Sequence, residues 1–193
     1  MEGVREQLVR ALAGRTGPSS DFDFGGGAPA LALRPAGVLA AFDALDGRLI
    51  LTKRASSLRH HPGQIALPGG KVDAGDRDEV AAALREAQEE VGLDPAQVEV
   101  IGTMPAHRTI TGFAMIPVLA LVHGAFAPVP EAGEVEEVFS VPFAHVTDPA
   151  NYHVEGRSWR GMRRDYYVAP YGPYYIWGAT ARVLHSLALR ISA

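Results

Sequence analysis

Three glutamates on one predicted helix have a spacing that could support chemistry. Glu86, Glu89 and Glu90 stand at positions i, i+3 and i+4, so on a helix their carboxylates share one face. Carboxylate oxygens are hard ligands that suit Mg²⁺ or Mn²⁺, and protein-bound Mg²⁺ commonly combines one or two carboxylates with phosphate oxygens and water. The spacing therefore favours a divalent-metal site on this face, with solvated surface glutamates as the alternative.

The same helix carries an apolar face opposite the glutamates. We predict a helix from residue 78 to residue 91 that ends at Gly92, since glycine commonly follows the last helical turn. Its apolar residues recur at helical spacing, so we expect this face to be buried while the glutamates stay accessible. The apolar residues are Val80, Ala83, Leu84, Ala87 and Val91.

The residues around the glutamates follow a known pattern. Gly70 is followed six positions later by Asp76, and then by the pairs Arg85-Glu86 and Glu89-Glu90. The stretch from residue 70 to residue 93 resembles the Nudix box, the signature of a family of pyrophosphate hydrolases. Two departures concern Asp76: it stands where the box usually has glutamate, and its distance to Arg85 is one residue longer than usual. The role of Asp76 is therefore left open.

The resemblance implies a role for each box residue. Helix glutamates of Nudix proteins hold divalent cations, which makes Glu86 and Glu90 the principal expected ligands and Glu89 a ligand or a base. A loop backbone carbonyl adds a ligand in the family, and this places Gly70 in the expected metal set. Arg85 would orient a carboxylate, and the alternative for Arg85 is an ordinary surface ion pair, which contributes little to stability.

A cation-rich segment precedes the box. Lys53, Arg54, Arg59, His60 and His61 lie within one predicted strand-to-loop stretch of a chain whose formal net charge is −4. Such a cluster suits a multiply phosphorylated ligand, and arginine in particular can bond phosphate through two parallel hydrogen bonds. A solvated basic loop is the alternative for any one of these residues.

The order of residues in this segment matches one branch of the family. The sequence Leu-Thr-x-Arg-Ala at residues 51–55 is followed by Arg59, by Gly63 and by Leu-Pro-Gly-Gly at residues 67–70. This pattern resembles the signature of the coenzyme A pyrophosphatase branch, which often has phenylalanine where this chain has leucine. The resemblance covers roughly residues 37–142.

The branch resemblance implies a reaction and a set of binding residues. The expected reaction is metal-dependent hydrolysis of the diphosphate of coenzyme A or its derivatives to 3′,5′-ADP and 4′-phosphopantetheine, with Mg²⁺ or Mn²⁺ as cofactor. A diphosphate repels an attacking hydroxide, so the site needs cations that neutralise the phosphates. The expected substrate-binding residues are Lys53, Arg54, Arg59, Gly69 and Gly70.

The general base is not fixed by the sequence. Water would attack one phosphorus in line while a glutamate takes its proton. Glu89 is the candidate inside the box, and Glu134 or Glu137 of a later acidic segment are the candidates outside it, with an ordinary surface role as their alternative. The expected catalytic residues are therefore Glu89, Glu134 and Glu137, together with Arg85.

Three other functions compete with this hypothesis. The first is another Nudix substrate such as ADP-ribose, a dinucleoside polyphosphate or an oxidised nucleotide, against which the pre-box segment argues. The second is a catalytically silent nucleotide-sensing Nudix domain, which would have no reason to keep all three glutamates. The third is a nucleic-acid-binding module built on the basic, aromatic residues 157–167, and a pI near 6.0 argues against non-specific duplex binding.

Composition bounds the class of protein and its partners. The 193 residues are 47% hydrophobic and 21% charged, which fits one globular domain rather than a disordered chain. The absence of cysteine excludes disulfides and thiolate catalysis, and we expect a cytoplasmic location. No apolar run reaches the roughly 18 residues of a membrane span. The expected partner is a small-molecule substrate, not nucleic acid or a membrane, and the oligomeric state is not set.

The elements that must position these residues alternate between strands and helices. This order predicts an α/β or α+β class, and the resemblance implies a Nudix-type α/β/α sandwich with a mixed sheet. We expect residues 1–34 to form an N-terminal helix and an irregular arm, and residues 35–193 to form the Nudix domain. The predicted elements are a helix at 4–12, a hairpin of strands 37–42 and 48–53, the helix at 78–91, strands at 98–104, 114–122 and 138–141, a basic hairpin at 156–168, and a helix at 174–189.

Overall fold

The computed structural model describes residues 3–14, 17–24, 32–159 and 162–193. Its helices are α1 (Val4–Ala13), α2 (Glu79–Val91), α3 (Phe143–Val146) and α4 (Gly178–Ser192). Its strands are β1 (Ser19–Ser20), β2 (Arg34–Asp43), β3 (Arg48–Arg54), β4 (Ile65–Ala66), β5 (Gly69–Lys71), β6 (Val98–Thr103), β7 (His107–Arg108), β8 (Phe113–Val122), β9 (Val135–Pro142), β10 (His153–Trp159), β11 (Met162–Tyr171) and β12 (Tyr174–Trp177).

A mixed sheet forms the centre of the molecule, as predicted. In the described parts of the chain, nine strands join it in the order β1–β7–β8–β2–β3–β4, with β5 beside β2, β6 beside β8 and β9 beside β3. Strands β2 and β8 run parallel along their whole length, from Arg34 and Phe113 to Asp43 and Val122. Their near-continuous apolar sequences fit this position, because a parallel pair at the centre of a sheet is covered on both faces.

The predicted hairpin of β2 and β3 is formed only next to its turn. The two strands pair through Phe42 and Leu49, and beyond that point β3 pairs with β9 while β2 pairs with β5. Strand β5 reaches β2 through Val38 and Gly69. The sheet is therefore open between β2 and β3 at the end where the predicted site residues of the glycine-rich loop lie.

Helix α2 covers one face of the sheet and confirms the predicted apolar stripe. Ala83, Ala87 and Val91 are buried against the sheet, and Val80 and Leu84 pack at the edge of the same cluster. Gly37 of β2 permits this close packing, because a Cβ at that position would collide with the backbone carbonyl of Glu79. The distance from the sheet to the acidic helix is thus set by backbone contact.

Helices α1 and α4 cover the opposite face. Leu8 of α1 and Leu184 and Leu187 of α4 are fully buried in one cluster with Phe42 and Leu49 of the sheet. Helix α1 therefore contributes to the main core. Strand β1, which follows it, pairs with β7, so part of the predicted arm is ordered on the sheet. The glycine run at residues 25–27 lies outside the described residues.

The prediction of a helix over residues 174–189 is wrong at its beginning. Residues Tyr174–Trp177 form β12, which pairs with β11 and, through it, with β10 in a separate three-stranded sheet. Helix α4 begins only at Gly178, whose φ of 64° lies in the left-handed region that favours glycine. The residues Tyr174–Trp177 are aromatic or β-branched, and such residues favour a strand over a helix. The predicted basic hairpin corresponds to β10 and β11, although its Arg160 lies outside the described residues.

In the described ranges, no helix combines the length and the apolar character needed to cross a bilayer.

Candidate active site

Helix α2 presents its glutamates with a register fixed at both ends. The Asp78 carboxylate accepts a hydrogen bond of 2.8 Å from the backbone N–H of Ala81, and Gly92 ends the helix with a left-handed φ of 73°. The three glutamate side chains nevertheless differ in exposure. Those of Glu86 and Glu90 are 16% and 7% exposed, whereas that of Glu89 is 58% exposed.

The expectation that all three glutamates stay accessible is therefore wrong for Glu90. Its carboxylate accepts a 3.1 Å hydrogen bond from the backbone N–H of Gly69 and lies 3.9 Å from the guanidinium of Arg54. Burial raises the pKa of Glu90 to about 7, and the neighbouring charge of Glu86 acts in the same direction. Additional positive charge beside Glu90 would therefore stabilise its ionised form.

Gly70 lies directly against the Glu86 carboxylate. A Cβ on Gly70 would collide with the carboxylate of Glu86, so a larger residue here would displace that carboxylate from its present position. Burial raises the pKa of Glu86, Arg85 opposes this shift, and the charges of Glu89 and Glu134 add to it. The loop backbone and the glutamate of the predicted metal set are thus in contact.

The structure gives Asp76 a definite partner. Arg85 donates two hydrogen bonds to the Asp76 carboxylate, from Nε at 3.0 Å and from Nη2 at 2.9 Å, and these hold the pKa of Asp76 below its usual range. The same guanidinium donates to Glu86 and to Glu89, each at 3.0 Å. Asp76 therefore fixes the arginine that positions two helix glutamates. An acidic residue in the turn before a helix that carries Arg85 in its second turn was the sequence signal for this pairing.

A cation site is not preformed by side chains alone. Across the described residues, no group of three or more histidine, aspartate or glutamate side chains is arranged so that it could hold a metal ion. Glu89 is bound by Arg85 and points to the exposed side. Glu86 and Glu90 remain as a close pair of carboxylates beside the Gly70 backbone, and hard oxygen donors with excess negative charge suit a divalent cation.

The acidic loop before β9 is tied to the end of helix α2. The backbone N–H groups of Val129 and Glu131 donate 2.9 Å hydrogen bonds to the carbonyl oxygens of Val91 and Glu90. This brings Glu134 close enough for its charge to raise the pKa of both Glu86 and Glu90. Of the two later base candidates, Glu134 is thus near the box glutamates.

Glu137 lies elsewhere, beside the second sheet. Its carboxylate accepts a 2.5 Å hydrogen bond from the hydroxyl of Tyr174, and it lines a separate cavity together with Lys53. The ring of Tyr174 stacks on Phe139 at 3.6 Å between centroids, which fixes this partner. The structure therefore does not bring Glu137 together with the box.

The predicted substrate-binding cations are also separated. Arg54 approaches Glu90, whereas Lys53 forms a 2.6 Å ion pair with Glu136. Lys53 and Arg54 are successive residues of β3, and successive side chains of a strand point to opposite faces of the sheet, so the two cations reach different partners. Arg59 is exposed in the loop that follows β3. Arg54, Gly69 and Gly70 form one group with the box glutamates.

Comparison with known proteins identifies the family. The sequence pattern of the NUDIX domain matches residues 33–159, well over half of the chain. The chain belongs to the Nudix family. Relatives named "Uncharacterized Nudix hydrolase NudL" support this: the protein of Enterobacter sp. (strain 638) is 41% identical over 143 residues, and that of Salmonella paratyphi B is 43% identical over 143 residues. In both cases 74% of this chain and 74% of the relative are covered.

A solved Nudix structure has the same fold. A MutT/nudix family protein from Enterococcus faecalis superimposes with a TM-score of 0.53 at 14% identity, covering 89% of this chain and 66% of that protein. The chain is therefore a Nudix hydrolase, an enzyme that cleaves diphosphate bonds of nucleoside diphosphate derivatives. Nudix enzymes in general work with divalent cations.

Proposed function

We propose that this Nudix hydrolase cleaves the diphosphate of coenzyme A or its derivatives. The products would be 3′,5′-ADP and 4′-phosphopantetheine, or the acylated phosphopantetheine when the substrate is a thioester. The proposal rests on the pre-box segment at residues 51–70, which resembles the coenzyme A pyrophosphatase signature. A cytoplasmic location belongs to the same proposal.

One observation carries this proposal. The signature arginine, Arg54, lies 3.9 Å from the Glu90 carboxylate, and the signature glycine, Gly69, donates its N–H to the same carboxylate. The pre-box segment and the Nudix box are therefore two walls of a single site. A guanidinium beside a pair of carboxylates can bind one phosphate while a cation between the carboxylates binds the other.

The residues present fit Mg²⁺ or Mn²⁺. Glu86, Glu90 and the backbone carbonyl of Gly70 would hold the cation, with Glu89 as a further ligand if it leaves Arg85. When bound, a divalent cation neutralises the diphosphate and lowers the pKa of water. Arg85 holds Glu86 in place through a 3.0 Å hydrogen bond, and Asp76 in turn holds Arg85.

The chain's own residues would supply binding and proton transfer. Arg54 would orient the diphosphate beside Glu90. We assign Glu134 as the general base, because it is exposed and its charge reaches both box glutamates. Glu89 is bound by Arg85, and Glu137 is bound by Tyr174, so both are less available for this role.

A substrate panel tests the proposed function. The enzyme is incubated with coenzyme A, ADP-ribose, diadenosine polyphosphates and nucleoside triphosphates, with Mg²⁺, with Mn²⁺ and with a chelator, and the products are separated by chromatography. We expect release of 3′,5′-ADP from coenzyme A and no release in chelator. Preferential cleavage of ADP-ribose, or cleavage of none of these compounds, would overturn the proposal.

A further inference from the structure

A cavity of about 330 Å³ opens beside the glycine-rich loop. It lies in the gap between β2 and β3, and Gly69 and Gly70 form part of its wall. This volume is within the range of small-molecule sites, which begins at roughly 300 Å³. The other lining residues are Ala36, Val38, Arg54, His61, Gln64, Ala66, Leu67, Lys71, Thr109, Thr111, Phe113, Met115 and Thr180.

Charge is distributed unevenly over this cavity. Arg54 links it to Glu90, and Lys71 and His61 are the other lining residues that can carry positive charge. Val38, Phe113 and Met115 represent its apolar walls, and none of the described lining residues is acidic. A ligand with its diphosphate at Arg54 would therefore extend an uncharged, largely apolar group into the cavity.

His61 holds an unusual backbone conformation at this site. Its φ is 55°, and in the described ranges it is the one residue other than glycine with a positive φ. Such a conformation costs free energy and persists where the surrounding structure fixes it. This strained residue lies in the wall of the cavity.

We propose that this cavity binds the pantetheine arm of coenzyme A, an assignment that rests on the proposed function. The arm is uncharged, flexible and long, and combines methyl and methylene groups with two amides. The other half of the substrate carries the 3′-phosphate. In this arrangement the diphosphate occupies Arg54, and Lys71 is paired with the Asp73 carboxylate at 2.8 Å. A 3′-phosphate beside walls such as Val38 and Met115 would thus lose its hydration with little compensating charge. The cavity therefore favours the uncharged half of the substrate.

One of two neighbouring threonines, Thr111, can supply a polar group for the amides of the arm. The Thr109 hydroxyl is occupied, because it accepts a 2.9 Å hydrogen bond from the Phe113 N–H and lies 3.0 Å from the Thr111 hydroxyl. Thr111 is exposed at the rim and keeps hydrogen-bonding capacity for a ligand amide. The cavity therefore pairs apolar walls with an amide-binding rim.

Product inhibition distinguishes the two halves of the substrate. The variant Met115→Trp fills the cavity, and Leu45→Trp, on the 88% exposed turn residue, is the matched control. For Met115→Trp we expect the inhibition constant of 4′-phosphopantetheine and the KM for coenzyme A to rise about tenfold or more, a change of roughly 1.4 kcal/mol. The inhibition constant of 3′,5′-ADP stays within about twofold by the same scale, and Leu45→Trp matches the wild type.

Other outcomes contradict the assignment. A rise for 3′,5′-ADP alone would place the nucleotide half in the cavity, and equal rises or no change for both products would also overturn the proposal. If Met115→Trp does not fold, as judged by circular dichroism, Thr111→Trp at the exposed rim gives the same test. A wild-type enzyme that does not cleave coenzyme A contradicts the proposed function itself, which is a distinguishable result.

Discussion

Glu90 shows how a single residue can serve the site while opposing the fold. Its side chain is 7% exposed, and burial raises its pKa to about 7, so the charged form is unfavourable in the metal-free protein. The nearby Glu86 carboxylate adds to this cost. Under the proposed function, a cation bound at Glu90 would offset this cost.

The variant Glu90→Gln separates these two effects. We expect kcat with Mg²⁺ to fall by about 100-fold or more, because a cation ligand is lost. We expect the metal-free protein at pH 8 to gain up to about 2 kcal/mol of unfolding free energy, since glutamine is neutral and its amide oxygen can still accept from Gly69. Urea denaturation in chelator measures the second effect, and wild-type-like activity of the variant would contradict the metal assignment.

Glu134 and Glu137 form a matched pair for testing the base. Glu134→Gln should lower kcat by about 100-fold or more with little change in KM, as expected for loss of a general base. Glu137→Gln, whose carboxylate is bound by Tyr174, should change kcat by less than about threefold. Steady-state kinetics measures both, and a larger loss in Glu137→Gln would reverse the assignment.

At the scale of elements, strand β1 is held to β7 by a buried histidine. The imidazole of His107 is fully buried, with Nδ1 at 2.9 Å from the Ser19 hydroxyl and Nε2 at 3.0 Å from the Asp21 carboxylate. Asp21 also accepts a 2.8 Å hydrogen bond from the backbone N–H of Ile110. The segment before the family match thereby fixes the loop that contains Thr109 and Thr111.

Removal of this carboxylate should destabilise the protein. Asp21→Ala leaves a buried imidazole nitrogen and a backbone N–H without their partner, and we expect a loss of about 1–3 kcal/mol in unfolding free energy. The control Asp165→Ala breaks an ion pair with the 76% exposed side chain of Arg163 and should cost less than about 1 kcal/mol. Equal midpoints of urea denaturation for the two variants would contradict a structural role for Asp21.

Sequence patterns predicted the long helices and strands. Helix α2 and strand β8 are long enough for apolar periodicity or composition to define them. Strands β1, β4 and β7 have two residues each, so they carry no period and exist only because a distant partner pairs with them. The same limit applied at the site, where the box pattern predicted the group around Gly70, whereas the ion pair of Lys53 with Glu136 depends on β9, a strand that joins β3 from a distant part of the chain.

The whole molecule should respond to pH and to metal together. The pKa of Glu90 in the folded, metal-free protein, about 7, lies above its ordinary value of 4.5. The stabilisation from the protonated carboxyl is therefore complete below about pH 4.5 and is lost as pH rises through about 7, by up to about 3 kcal/mol. Burial raises the pKa of Glu86 as well, which acts in the same direction.

Thermal unfolding at pH 5 and pH 8 measures this response. In chelator we expect the Tm of the wild type to fall between pH 5 and pH 8. The fall in Tm should be smaller for Glu90→Gln, which lacks the titrating carboxyl. At pH 8, Mg²⁺ at about 100 times its Kd should add about 2.7 kcal/mol of unfolding free energy to the wild type. If Mg²⁺ does not change the Tm of the wild type, the result would contradict cation binding by Glu86 and Glu90.

The two backbone hydrogen bonds between the end of α2 and the loop before β9 have a consequence for sequence variation. They join Val129 and Glu131 to Val91 and Glu90 through main-chain atoms, so they form with almost any side chains at these positions. The placement of Glu134 relative to these bonds depends instead on the number of residues between Glu131 and Glu134. Substitutions in this loop should therefore be tolerated among homologues, whereas insertions or deletions after residue 131 should be rare wherever the loop glutamate is retained.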